Sequence, residues 1–293
     1  MSTDGLQVIR LGDHVLGFYD GRRPGATNTS VDTWVEDGAL SLGICSYAIV
    51  DGGDAIVYDT HVSLEHARLI REAVEHLGAR RIRVVLSHWH LDHIAGSEVF
   101  ADCEIIANRT TAALLAEHRA AIEAGTHHGP PAIAPLILPT TLFDDRLRLE
   151  LPNLQVDLVE FDIHSRDATV IHLPESGVLL AGDTVEDTVT YVAEPDRLQG
   201  HIGELERMRS LGASRILPNH GSRERIESGG YASTLIDATE RYVQALLVTA
   251  AEPLERHTDL RAFVAAELAA GWISWFEPYE RVHRSNLEAV RSR

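Results

Sequence analysis

Hydrophobic and polar positions change period several times along the chain, and those changes predict its elements. Gln7–Arg10 and His14–Tyr19 read as short strands, followed by a polar, glycine-containing loop from Asp20 to about Gly43. SYAIV and AIVYD are apolar runs joined by DGGD, whose glycines supply the positive φ angles of a tight hairpin turn. From Leu64 to Leu77 the apolar spacing becomes three and four and stops at Gly78, which predicts a helix. Arg81 to Leu86 reads as a buried strand, with a short strand expected near Glu104–Ala107 and a helix near Arg109–Ala124. GTHHGPPAIAP, residues 125–135, is expected to be irregular, because its prolines and glycines interrupt both helix and ladder.

Strands dominate again from Thr141 to Ala181, in LRLEL, LQVDLVEF, ATVIHL and GVLLAG. A helix near Arg197–Leu211 and a short strand at Arg215–Leu217 follow, the latter running into PNHG. Beyond about Arg225 the strand signals cease, and Tyr231–Val248, Asp259–Ala270 and Pro278–Val290 read as helices. The order predicts an α/β domain over residues 1–225, sheets covered by helices, with a helical extension over 226–293.

Composition narrows the function classes. The 293 residues are 44% hydrophobic, enough for a sizeable core, and no apolar run approaches the roughly 20 residues that span a bilayer. The first residues lack a basic stretch followed by an apolar one, so a cytoplasmic location is expected. Two cysteines, Cys45 and Cys103, argue against a disulfide framework. A net charge of -18 disfavours nucleic acid and anionic membrane surfaces as partners. All basic residues are arginine, which excludes lysine Schiff-base chemistry, and a small-molecule substrate is expected. A homodimer is left open.

The chemistry concentrates in SHWHLDHIAG, Ser87 to Gly96, where a buried strand runs into a loop. His88, His90, Asp92 and His93 can face one small volume there, and imidazole with carboxylate is the ligand set of borderline divalent metals such as zinc. Three further candidates stand where a strand delivers its last residue into a loop: His164, Asp183 and His220. Each is weak singly, and together with the histidine loop they form a set of seven.

In this order the residues resemble the metallo-β-lactamase fold superfamily of hydrolases: Asp59 in VYDTH, the HxHxDH of His88 to His93, then His164, Asp183 in LLAGDT and His220 in PNHG. The resemblance, over roughly residues 7–225, implies a four-layer αββα sandwich of two mixed sheets with the site along one edge. It implies one metal on His88, His90 and His164, a second on Asp92, His93 and His220, Asp183 between them, and Asp59 orienting the histidine loop. Two zinc ions per chain are expected, with manganese or iron(II) as alternatives. A metal-bound hydroxide would then attack an ester, lactone, thioester or amide, with Asp92 as the proton acceptor. The alternatives are a mononuclear iron persulfide dioxygenase and β-lactamase or organophosphate hydrolase activity of the same fold. His90 matches the hydrolytic pattern, where redox relatives carry Glu. One departure is that relatives often follow the distant histidine with a Thr-Pro-Gly-type turn, and this chain has Ser165-Arg-Asp167, expected to stabilise the turn. His61, Trp89, Thr184 and Tyr191 are candidate substrate contacts, His127 and His128 sit on a candidate lid, and GWISWFEPYERVH is expected to pack helix against domain.

Overall fold

The computed structural model describes residues 5–22 and 33–292, so residues 23–32 of the expected loop after Asp20 lie outside it. The first sheet contains β1 (Gln7–Arg10), β2 (Val15–Asp20), β3 (Ile44–Asp51), β4 (Asp54–Tyr58), β5 (Arg81–Val85), β6 (Glu104–Asn108) and β7 (Thr141–Phe143), neighbours in that order. It is antiparallel from β1 to β4 and parallel from β4 to β7. The second sheet runs β8 (Arg146–Leu151), β9 (Leu154–Ile163), β10 (Ser165–Leu173), β11 (Val178–Gly182) and β12 (Arg215–Pro218), with only the β11–β12 pair parallel.

The helices are α1 (Leu64–His76), α2 (Leu91–Ile94), α3 (Arg109–Glu123), α4 (Leu198–Arg209), α5 (Arg223–Glu227), α6 (Thr234–Thr249), α7 (Leu260–Phe263), α8 (Ala265–Ala269) and α9 (Tyr279–Arg291). None is long and apolar enough to cross a membrane.

Period-two alternation explains the layers. Cys45, Tyr47 and Ile49 of β3 and Ile56 and Tyr58 of β4 join the core between the sheets, together with Leu158 of β9 and Val170 of β10. Ala48, Ala55 and Val57 point the other way and join Ile70 and Val74 of α1 and Leu115 and Ile122 of α3. Both faces of the first sheet are therefore buried, as expected for strands under helices. Leu205 of α4, Leu246 of α6 and Leu287 of α9 share the core of the second sheet, so the C-terminal helices are continuous with it. The result is the expected four-layer αββα sandwich of two mixed sheets, with C-terminal helices added.

Hydrogen bonds tie the sheets together near the strand ends. Tyr58 donates to the Thr169 carbonyl at 2.5 Å and Tyr47 to the Pro218 carbonyl at 2.6 Å. Gly182 closes β11 at φ +58°, and a Cβ there would meet the Tyr58 hydroxyl at 2.8 Å. Only glycine allows that approach and that angle together.

Several expectations need correction. Trp34–Leu40 is one wide helical turn, capped by the Thr33 hydroxyl, where a loop was expected. The helix expected from Tyr231 begins at Thr234, because Tyr231 pairs with Ile216 as a β-bridge. Asp259–Ala270 is two short helices broken at Val264, whose φ of -113° leaves the helical range. Residues 125–135 carry no regular element, as expected.

Candidate metal centre

The ends of five strands converge. Parallel β4 and β5 deliver Asp59 and the histidine loop, the β9–β10 turn delivers His164, and parallel β11 and β12 deliver Asp183 and His220. Carboxyl ends of parallel strands are where loops of such sheets assemble sites. His90 is extended at φ -65° and ψ 149°, and the single turn α2 behind it swings Asp92 and His93 back toward His88.

The potential ligand atoms fall into two groups, each within 4.8 Å: His88, His90, His164 and Asp183, and Asp92, His93 and His220. Asp183 joins them. Its Oδ2 lies 3.7 Å from Nε2 of His88 and of His164, 3.0 Å from Nε2 of His93 and 3.5 Å from Nε2 of His220. His90 Nδ1 stands 3.1 Å from His164 Nε2, and His220 Nε2 stands 3.2 Å from Asp92 Oδ2.

The opposite ring nitrogens of His88, His93, His164 and His220 have partners, which set the direction of those imidazoles. His220 Nδ1 donates to the Gly43 carbonyl at 2.7 Å, and His164 Nδ1 to the Tyr191 carbonyl at 3.1 Å. His93 Nδ1 donates to Asp59 Oδ2 at 2.9 Å, and Ser87 Oγ lies 2.9 Å from His88 Nδ1. Asp59 also accepts from the Ser87 amide at 2.7 Å and from Asn219 Nδ2 at 2.6 Å. Asp59 thus ties the histidine loop to β12, and it does so from the left-handed region, at φ +66°. His164 has the same φ. Non-glycine residues held there cost about 1–3 kcal/mol and cluster at functional sites.

Burial and charge show what the cluster lacks. Burial pushes His90 down to about 3 and His88 well below the ordinary imidazole value. Burial also opposes charge on His93 and His220, but the carboxylates outweigh it: Asp183, Asp92 and Asp59 hold His93 well above the usual range, and Asp183 and Asp92 raise His220 to about 9. His88 Nε2 and Asp183 Oδ1 are buried without a hydrogen-bond partner among the described residues. Buried polar atoms are costly unless paired, and these belong to the converging set. Neutral imidazole and carboxylate donors, with orphaned atoms at their focus, fit divalent cations.

Residues 42–220 match the family model of the metallo-beta-lactamase superfamily. The chain belongs to the metallo-beta-lactamase superfamily. It is a metal-dependent hydrolase of that superfamily with a binuclear His/Asp site. The fold is similar to a metallo-beta-lactamase from Pontibacter korlensis, at 17% identity and TM-score 0.62, over 82% of this chain and 99% of that one. It is similar also to VMB-1, at 16% identity and TM-score 0.63 over 83% and 99% of the two chains. The DIM-1 metallo-beta-lactamase gives 18% identity and TM-score 0.61 over 83% and 99%. No curated protein sequence matches the chain.

The cavity beside the ligands departs from sequence expectation in places. It measures about 610 Å³ and is lined by His90, Asp92, His164, Asp183 and His220. Trp89 and Tyr191, two expected substrate contacts, line it, as does His128. Trp89 also stacks on His118, ring centroids 4.7 Å apart.

His61 and Thr184 do not line it. His61 has φ +64°, which turns its ring inward to stack on His66 at 4.4 Å and 5°. Thr184 spends its hydroxyl on the Ala181 carbonyl at 2.6 Å, a local turn bond. Asp167 does more than stabilise its own turn: besides accepting from Ser165, it accepts from the Trp89 amide at 3.0 Å, fixing the backbone between His88 and His90.

Sequence reasoning missed four contributions. Glu186, 2% exposed, lines the cavity with its carboxylate 3.5 Å from His164 Nδ1. Trp34, Gly38 and Ala39 reach the cavity from the helical turn, and Arg281, Val282 and Ser285 from α9. The fold brings α9 there, and no local motif announces it. Asn219 alone had a signal, standing beside His220 in PNHG.

Proposed function

We propose that this hydrolase uses two zinc ions to cleave an ester, lactone, thioester or amide bond of a small molecule. The observation that carries the reading is Asp183 Oδ2, within 3.7 Å of imidazole nitrogens from both ligand groups. His88, His90 and His164 would hold one ion, Asp92, His93 and His220 the other, and Asp183 both. The all-nitrogen-and-oxygen donor set suits zinc. Divalent cations there supply Lewis acidity and bring the pKa of water down toward about 7.

The chain's own residues do the rest. Asp92, 18% exposed and on the cavity wall, accepts the proton of the attacking water and returns it to the leaving group. Asp59 and Asp167 hold the loop that carries Asp92 and the first histidines. Trp34, Trp89, Leu42 and Val282 give the cavity apolar walls suited to an uncharged substrate body, and its volume suits a small molecule. The complete Asp92–His93–His220 group favours this reading over a mononuclear iron oxygenase, which needs one ligand set.

The test is a panel of aryl ester, lactone, thioester, β-lactam and phosphotriester, assayed with zinc, manganese and iron. Turnover of an ester, lactone or thioester with zinc is expected. Turnover of the β-lactam alone narrows the assignment to β-lactamase activity, turnover of the phosphotriester alone moves it to organophosphate hydrolysis, and oxygen consumption with iron on a persulfide overturns hydrolysis.

A further inference from the structure

The C-terminal helix α9 reaches the metal ligands through the segment 186–192. Tyr279 at the start of α9 donates its hydroxyl to Glu186 Oε2 at 3.3 Å. Glu186 Oε1 accepts from the Tyr191 amide at 2.8 Å and lies 3.5 Å from His164 Nδ1. About two turns along α9, Asn286 clasps the far end of the same segment: its Oδ1 accepts from the Val192 amide at 2.9 Å, and its Nδ2 donates to the Thr190 carbonyl at 2.8 Å. Between these two grips sits the Tyr191 carbonyl, which accepts the Nδ1 proton of His164. Tyr279 and Asn286 are fully buried, and Glu186 is nearly so, so these bonds form away from water, where leaving one unmade is costly.

From this arrangement we infer that Glu186, held by Tyr279 of α9, is a positioning residue that, together with the Tyr191 carbonyl clasped in place by Asn286, fixes the Nδ1–H tautomer and ring angle of His164. The C-terminal helices are then a working part of the metal centre, although they lie beyond the family match at residue 220. The effect is one-sided. His164 belongs to the group with His88, His90 and Asp183, whereas in the other group His93 is oriented by Asp59 and His220 by the Gly43 carbonyl, neither bond involving α9. Partners that orient a ligating imidazole are worth 10–100-fold in metal affinity, so only one of two ions should feel the loss.

The inference rests on the binuclear reading, and one experiment separates the two. Full-length wild type, Glu186→Gln, Tyr279→Phe and Asn286→Ala are stripped of metal and titrated with zinc against a chromophoric chelator. The His164 tautomer is read in parallel by long-range proton–nitrogen NMR of the metal-free proteins. Wild type is expected to bind two zinc ions. Glu186→Gln and Asn286→Ala should weaken one of them roughly 10–100-fold and leave the other within about threefold. Tyr279→Phe should act the same way more weakly. The His164 signals should shift from a single Nδ1–H tautomer to a mixture in the variants, with the melting temperature of the metal-free protein as the control for general loosening. Variants that bind both ions as wild type does, or lose both equally, overturn the inference while leaving two metals intact. A wild type that binds no divalent metal overturns the binuclear reading, and this inference with it.

Discussion

Two regions meet at the cavity. The ligand cluster is built at the ends of strands, on the loops and the short helix α2 that follow them, mostly buried within the sandwich. Part of the remaining lining comes from the turn Trp34–Leu40 and from α9, segments that touch each other where Arg281 donates to the Asp37 carbonyl. The first region lies within the match to residues 42–220, and the second lies outside it. Chemistry is therefore expected to follow the strand ends, and substrate choice to follow the turn and α9. A fold does not choose a substrate, and here the part outside the family match forms much of the apolar wall.

That division can be broken or sharpened by substitution, beginning with the largest effect. Asp183→Ala should remove both ions and reduce hydrolysis at least roughly a thousandfold, about 4 kcal/mol of transition-state stabilisation, checked by metal content and turnover together. Asp59→Ala should weaken zinc about 10–100-fold while leaving the ligands in place, measured by chelator competition, since it removes the acceptor of His93, Ser87 and Asn219. Asp167→Ala leaves the Trp89 amide without its acceptor and should cost about 1–3 kcal/mol in denaturant unfolding of the metal-free protein.

On the other side of the comparison, Trp34→Ala and Val282→Ala should raise KM several-fold with kcat and zinc content little changed, the signature of lost substrate contact. A fall in zinc content from either substitution would erase the boundary between the regions. The smallest effect is on pH. His220 is raised to about 9 by Asp183 and Asp92 against burial, so its stabilisation of the metal-free protein is complete below the unfolded value near 6.5. It is lost as pH rises through about 9. Melting temperature of the metal-free protein should decline across that window, and His220→Gln should flatten the decline.

The same division explains what could be read from the sequence. His88 to His93 stand in a fixed local spacing, and His164, Asp183 and His220 follow apolar runs whose ends are visible, so the sandwich and the cluster were legible. His61 was misplaced because sequence spacing does not reveal a positive φ, and its ring turns to His66 instead of the cavity. Thr184 looked available because a hydroxyl's local turn bond leaves no pattern. Glu186 and α9 were missed for a different reason: their roles depend on where a helix about a hundred residues later returns to the fold. That is a tertiary fact with no periodic trace.

The account stands or falls on the number of ions held by the seven-residue cluster. Metal analysis of the purified full-length chain, with Asp183→Ala beside it, measures this directly. The predicted result is about two divalent ions per chain, zinc foremost, with hydrolysis lost on chelation, restored on adding zinc back, and absent in Asp183→Ala. Hydrolysis that survives complete metal removal, or a single ion unaffected by loss of Asp183, would contradict it.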